Sequence, residues 1–186
     1  MTPRRRILPI FVPHAGCPND CVFCNQKRIS GSLLPASAET VRAAVSTLVP
    51  GSGYELAFYG GSFTAIPETE QEALLAAAVP ARESGAVSAL RVSTRPDAVT
   101  EEKLARLRFY GVETVELGAQ SMRDDVLRRS GRGHTSEDTV KAAKLVKDAG
   151  FTLILQMMTG LPGSDDARDI QTARSIAALH PDGVRI

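Results

Sequence analysis

Short apolar runs and amphipathic helical patterns alternate along the whole chain, and this alternation limits the folds open to it. Residues 7–12, 54–59, 89–93, 112–117, 151–157 and 183–186 read as strands bounded by Gly, Pro or Ser. Residues 37–49, 67–79, 100–110, 135–149 and 164–179 read as helices. In the first helix Val41, Ala44, Val45 and Leu48 share one face, and Pro50-Gly51 stops it. Pro67 suits a first turn, Thr100 is a natural N-cap, Thr135-x-x-Asp138 is a helix start, and Ser164 is the expected cap of the last helix. Six strands alternating with five helices predict an α/β fold with a parallel sheet and right-handed crossovers. A parallel strand is normally covered on both faces. The sixth strand has no helix after it, so the natural protein is expected to continue past residue 186. Residues 1–186 read as one domain, with residues 1–6 a loose basic end in which Arg4, Arg5 and Arg6 are solvated.

All three cysteines fall in one loop after the first strand, Cys17, Cys21 and Cys24, spaced C-x3-C-x2-C with Phe23 just before the third. Three thiolates this close can converge on one metal centre, and an odd number cannot close into disulfides. A 4Fe–4S cluster held by three thiolates keeps one iron open for another ligand. Two other readings stand beside this one. His14 with the three cysteines would make a Cys3His zinc site, although structural zinc usually takes its ligands as two separated pairs. Arg4 to Arg6, a short apolar run and Ala15-Gly16-Cys17 resemble a lipoprotein signal, although the run contains Pro9 and is short for that purpose.

Composition excludes little. Hydrophobic residues make up 43% and charged ones 23%, and the net charge is +1, which is ordinary for a globular domain. The absence of Trp argues against an aromatic base-stacking platform. No apolar stretch approaches a membrane span. Clustered free cysteines suit a reducing compartment, and a cytoplasmic location is expected.

Ligands of parallel α/β folds bind at the carboxyl ends of strands, and every unusual motif falls at such an end. After strand two comes Tyr59-Gly60-Gly61-Ser62-Phe63-Thr64, and after strand three Ser93-Thr94-Arg95-Pro96-Asp97. After strand four come Glu116-Leu117-Gly118-Ala119-Gln120-Ser121 and Arg132-Gly133-His134; after strand five come Gln156-Met157-Met158 and Gly160-Leu161-Pro162-Gly163. Each has a plain alternative. The glycine pair can be a turn, Arg95-Pro96-Asp97 a turn with a local ion pair, and Gln120-Ser121 the cap of a short helix at 123–129. Arg132 and His134 can be solvated loop residues, and Met157-Met158 core filling. Their common placement on one rim, with the cysteine loop, is what these alternatives do not predict.

Together these motifs resemble the radical S-adenosylmethionine (SAM) superfamily, and within it the branch of the Elongator catalytic subunit. The resemblance implies a partial (β/α)6 barrel. It implies that Cys17, Cys21 and Cys24 hold a 4Fe–4S cluster whose open iron is chelated by SAM. Gly60 and Gly61 would receive the methionyl ammonium, with Ser62 standing where Glu is common. Gln120, Ser121 and Arg132 would contact the carboxylate or ribose, and Gln156 would pass the adenine. Tyr59, Ser93 and Arg95 are assigned to the same cofactor site. The implied reaction is reductive cleavage of SAM to a 5′-deoxyadenosyl radical that abstracts hydrogen from a substrate. A flavodoxin- or ferredoxin-type electron donor is implied as partner, and tRNA is the leading substrate candidate. Oxygen-independent coproporphyrinogen oxidase is a more distant relative by the same motifs, and an oxidoreductase of that kind is the alternative activity. The first two cysteines lie closer together than in the Elongator subunit, and nothing matches its acetyltransferase domain.

Overall fold

The computed structural model describes residues 6–12, 19–24, 36–60 and 62–186. His14, Cys17, Gly61 and the turn expected at Ser30-Gly31 lie outside the described residues. Six parallel strands form one sheet in sequence order: β1 (Arg6–Val12), β2 (Tyr54–Gly60), β3 (Val87–Thr94), β4 (Val112–Gln120), β5 (Thr152–Met157) and β6 (Gly183–Arg185). The helices are α1 (Ala38–Val45), α2 (Glu68–Glu83), α3 (Glu101–Phe109), the short α4 (Asp124–Arg129), α5 (Ser136–Asp148) and α6 (Asp166–Ala177). The expected α/β alternation and parallel sheet are borne out.

Local chemistry explains most helix starts. Ser37 and Thr135 close capping boxes at α1 and α5, and Thr100 caps α3. Three expectations are corrected. Asp165, not Ser164, caps α6 by accepting the Arg168 N–H, while Ser164 Oγ donates to Asp169. Helix α2 runs through Pro80 to Glu83 instead of stopping at residue 79. Pro80 leaves the Ala76 carbonyl without its helical donor, but both residues are exposed, so water can satisfy it. Arg6 is part of β1 and not of a loose end: its guanidinium lies 4.9 Å over the Tyr54 ring and donates to Ser52 O.

Alternation along each strand gives the sheet two unlike faces. One presents Leu56, Phe58, Leu90, Val92, Val115, Leu117, Leu153 and Leu155, all fully buried. They pack with Val41, Leu74, Leu75, Leu104, Leu107, Ala143, Val146 and Ile176 of the helices as one core. The other face carries Glu55, Arg91, Thr114, Glu116, Gln156 and Arg185, brought side by side by the register. Because all strands run the same way, their carboxyl ends share one rim.

Candidate functional site

Residues Asn19–Cys24 lie at the rim, seated on the loop after α4. Val22 N–H donates to Ser130 O at 3.1 Å, and Cys21 Sγ lies 3.6 Å from Gly131 O. The fit requires glycine at Gly131, where φ is +69° and a Cβ would stand 2.9 Å from Asp20 O; a Cβ on Gly133 would stand 2.6 Å from the Asn19 side-chain amide and displace it. Sequence reasoning missed this seat. The spacing Gly131-x-Gly133, flanking an arginine, was the available signal.

Cys21 is buried and Cys24 half-buried. They line a cleft with Phe23, Gly60, Ser62, Ser93, Thr94, Arg95, Gly118, Gln120, Arg132 and Gln156. Of the residues expected at a cofactor, the fold thus gathers Gly60, Ser62, Ser93, Arg95, Gln120, Arg132 and Gln156 around two of the three cysteines. Cys17 and Gly61 lie outside the described residues. Two others do not line the cleft. Ser121 is buried beneath the rim, its hydroxyl bonded to Thr172 Oγ1 and accepting the Arg123 N–H at the start of α4. Tyr59 sits on the charged face of the sheet under Arg185, whose guanidinium is 5.2 Å from its ring. Burial, then the Glu116 carboxylate, raises its pKa.

Each wall residue is held by identifiable contacts. Gly60 has φ +110°, and a Cβ there would meet Val12 O at 2.6 Å. The close approach of β1 alone therefore requires glycine at this position. Ser62 Oγ bonds Thr94 Oγ1 at 2.7 Å and accepts the Arg95 N–H, tying the rim of β2 to that of β3. Arg95 is 8% exposed and its guanidinium pairs with Asp97; with its amide oxygen turned inward, Asn19 accepts from the same guanidinium at 2.7 and 3.1 Å. Arg95 thus ties the cysteine segment to β3. Arg132 donates to Gly118 O at 2.8 Å, its Nη1 is 3.8 Å from Cys21 Sγ, and it lies over the Phe23 ring.

This arrangement fits an anionic cluster with a zwitterionic ligand beside it. Among the described residues, buried Gln120 Oε1 and Arg132 Nε have no hydrogen-bond partner, a costly state unless a ligand supplies one. Gly118 keeps the space open: a Cβ there would fall 2.9 Å from Gln120 Nε2. The arginine places a positive charge between a cysteine sulfur and the cleft, where sulfide and carboxylate charge would accumulate.

Beneath the cleft runs an ionic chain that sequence reasoning also missed. Arg91 bonds Glu55 at 2.8 Å and reaches Glu116 at 3.5 Å, Arg185 pairs with Glu116 at 2.6 Å, and Thr114 donates to Glu55. Arg185 also donates to Gln156 Oε1 at 3.1 Å, which links the chain to the cleft wall. Burial is the main reason the Glu116 pKa is raised, despite the arginines.

Known proteins resemble this chain in sequence and in fold. The model of the radical SAM superfamily matches residues 11–176. The tRNA uridine(34) acetyltransferase of Methanocaldococcus jannaschii is 39% identical over 101 residues, 53% of this chain and 19% of that protein. Human Elongator complex protein 3 is 34% identical over 100 residues, 52% of this chain and 18% of that protein. The matched segment thus spans about a fifth of these curated relatives. Among solved structures, archaeal Methanocaldococcus infernus Elp3 with an N-terminal deletion superposes over 97% of this chain and 45% of its own, with a TM-score of 0.71 and 24% identity. Coproporphyrinogen III oxidase from Escherichia coli covers 99% of this chain and 45% of its own, with a TM-score of 0.69 and 19% identity. At these identities the structures speak for the fold: a partial barrel.

Proposed function

The chain belongs to the radical SAM superfamily, and on that premise we propose that the cleft holds a 4Fe–4S cluster on Cys17, Cys21 and Cys24 with SAM at its open iron. The observation that carries the reading is the convergence of Cys21, Cys24, Arg132 and Gln120 on one cleft, two of them with unsatisfied buried polar atoms. Cys17, Cys21 and Cys24 would hold the cluster, and the chemistry it would supply when bound is one-electron reductive cleavage of the C5′–S bond of SAM.

The chain's own residues bind, orient and exclude water. Arg132 neutralises carboxylate or sulfide charge with a fixed guanidinium, held through Gly118 O. Gln120 offers both a donor and an acceptor to the ligand. Ser62, Thr94 and Arg95 fix the rim on which the cysteine segment rests. Gln156 borders the cleft on the side of β5.

The likeness to tRNA uridine(34) acetyltransferase and Elongator complex protein 3 supports a tRNA nucleoside as the substrate. A flavodoxin- or ferredoxin-type donor would supply the electron, and a reducing cytoplasm would suit the thiolates. No helix among the described residues is long and apolar enough to cross a membrane.

Iron content tests the proposal. Anaerobic reconstitution should give a brown protein with about four irons and four sulfides per chain. Replacing Cys17, Cys21 or Cys24 by Ala should remove most of them, and His14→Ala should not. Stoichiometric zinc lost on His14→Ala would overturn it.

A further inference from the structure

The end of β4 is irregular. Gly118 pairs with Gln156 but Gln120 with Met157, so two residues of β4 face one of β5 at a bulge. Gln120 has φ +64°, and the Ser121 N–H donates back to Ala119 O at 2.8 Å. A bond from residue i+2 to residue i around a positive φ is a γ-turn of the rare, strained hand. Glutamine has no conformational excuse for it, so the surroundings must impose it. The turn swings residue 120 toward the cleft.

One side chain is placed to impose it. His134 is 3% exposed, and its Nε2 lies 3.2 Å from the same Ala119 carbonyl. Burial and the neighbouring Arg132 lower the imidazole pKa to about 4, so the ring is neutral at pH 7. Its one proton belongs on Nε2, where the acceptor is, since Nδ1 has no partner among the described residues. Ala119 O therefore accepts from two sides, the Ser121 amide within the turn and the imidazole from the α4–α5 loop. Met158 N–H donates to Gln120 O at 2.9 Å and fixes the other end.

We infer that His134 is a positioning residue: by donating to Ala119 O it holds the γ-turn that aims the Gln120 amide at the cleft. The value of Gln120 for ligand binding rests on the SAM-site reading above, but the hold on the turn does not.

Two arms separate these claims. In the cluster-free protein, amide exchange at Ser121 and the HN–Hα coupling of Gln120 report the turn directly. His134→Phe, which keeps bulk but loses the donor, should speed Ser121 exchange by about three- to tenfold and shift the Gln120 coupling toward extended values. His134→Gln, whose amide nitrogen can replace Nε2, should restore both. His134→Asn, one atom shorter, should not, and serves if His134→Phe does not fold. In the reconstituted protein, His134→Phe should weaken SAM about three- to tenfold, but have no further effect in a Gln120→Ala background. An unchanged turn in His134→Phe and His134→Asn, or additive losses in the double variant, overturns the inference. Gln120→Ala binding SAM like the parent overturns the assignment of Gln120 to SAM, and the exchange arm then decides the role of His134 alone.

Discussion

Glu116 and Leu117 are neighbours on β4, both completely buried, and they belong to different worlds. Leu117 points into the core formed with the helices, where only shape and apolar area matter. Glu116 points to the opposite face, among Arg91, Arg185 and Glu55. The first face would fold on many sequences of the right pattern. The second takes charges out of water, which in itself stabilises little, because desolvation offsets the attraction. A chain that places two acids and two arginines under the rim of the cleft is using that face as a polar wall, and the helix-covered face as scaffold.

Arg91→Leu should break the contrast most severely. It strips Glu55 and Glu116 of their shared cation while both remain buried, a loss of about 3–5 kcal/mol in urea unfolding. Replacing Glu55, Arg91 and Glu116 together by Leu should cost less than Arg91→Leu alone, since no uncompensated buried charge is left among the three. If the triple variant is the worse of the two, the wall is a source of stability and the contrast fails. Leu117→Ala should cost about 2–5 kcal/mol by leaving a cavity, with iron content unchanged. A matching loss of iron would mean that the scaffold and the site are not separable.

The pH dependence of stability sharpens the comparison further. His134 takes its proton near 6.5 when unfolded and only near 4 when folded. Stability from this group is therefore full above 6.5 and is lost as pH falls toward 4, by an amount of the order of 3 kcal/mol. Glu116 acts in the opposite sense: its raised pKa lets the folded state protonate first, so its contribution is greatest at low pH and is lost as pH rises through its range. The apolar face titrates nothing. Subtracting the pH profile of His134→Phe from that of the parent should leave a curve that climbs between pH 4 and 6.5. A flat difference would mean that the imidazole is not held neutral by burial.

Much of this was legible in the sequence because it is local. The apolar runs of the strands, the helix starts at Thr100 and Thr135, and the motifs at strand ends pointed to the parallel sheet and its shared rim. What escaped was decided by contacts between distant segments. Ser121 reads like a ligand contact, yet Thr172 of α6 draws its hydroxyl down into the core. Arg95 reads as a cofactor contact, and it does reach the cleft, but Asp97 and Asn19 occupy its guanidinium. Gly60 reads as a close backbone approach to a ligand; it does line the cleft, and the neighbouring Val12 carbonyl is a second reason for glycine there. The ionic wall had a signal that went unused: Glu55, Arg91 and Glu116 each interrupt an apolar run in a strand that should be apolar throughout. Helix α2 continuing past Pro80 had none, since only exposure of the Ala76 carbonyl permits it.

The most direct test of the central claim is SAM titration of the anaerobically reconstituted, dithionite-reduced protein, followed by electron paramagnetic resonance and by assay of 5′-deoxyadenosine. SAM should change the cluster spectrum and be cleaved to 5′-deoxyadenosine and methionine. Arg132→Ala should weaken SAM by about ten- to a hundredfold, the loss of one charge-assisted contact, with iron content intact. A cluster spectrum indifferent to SAM, or Arg132→Ala binding and cleaving SAM like the parent, would contradict the site described here.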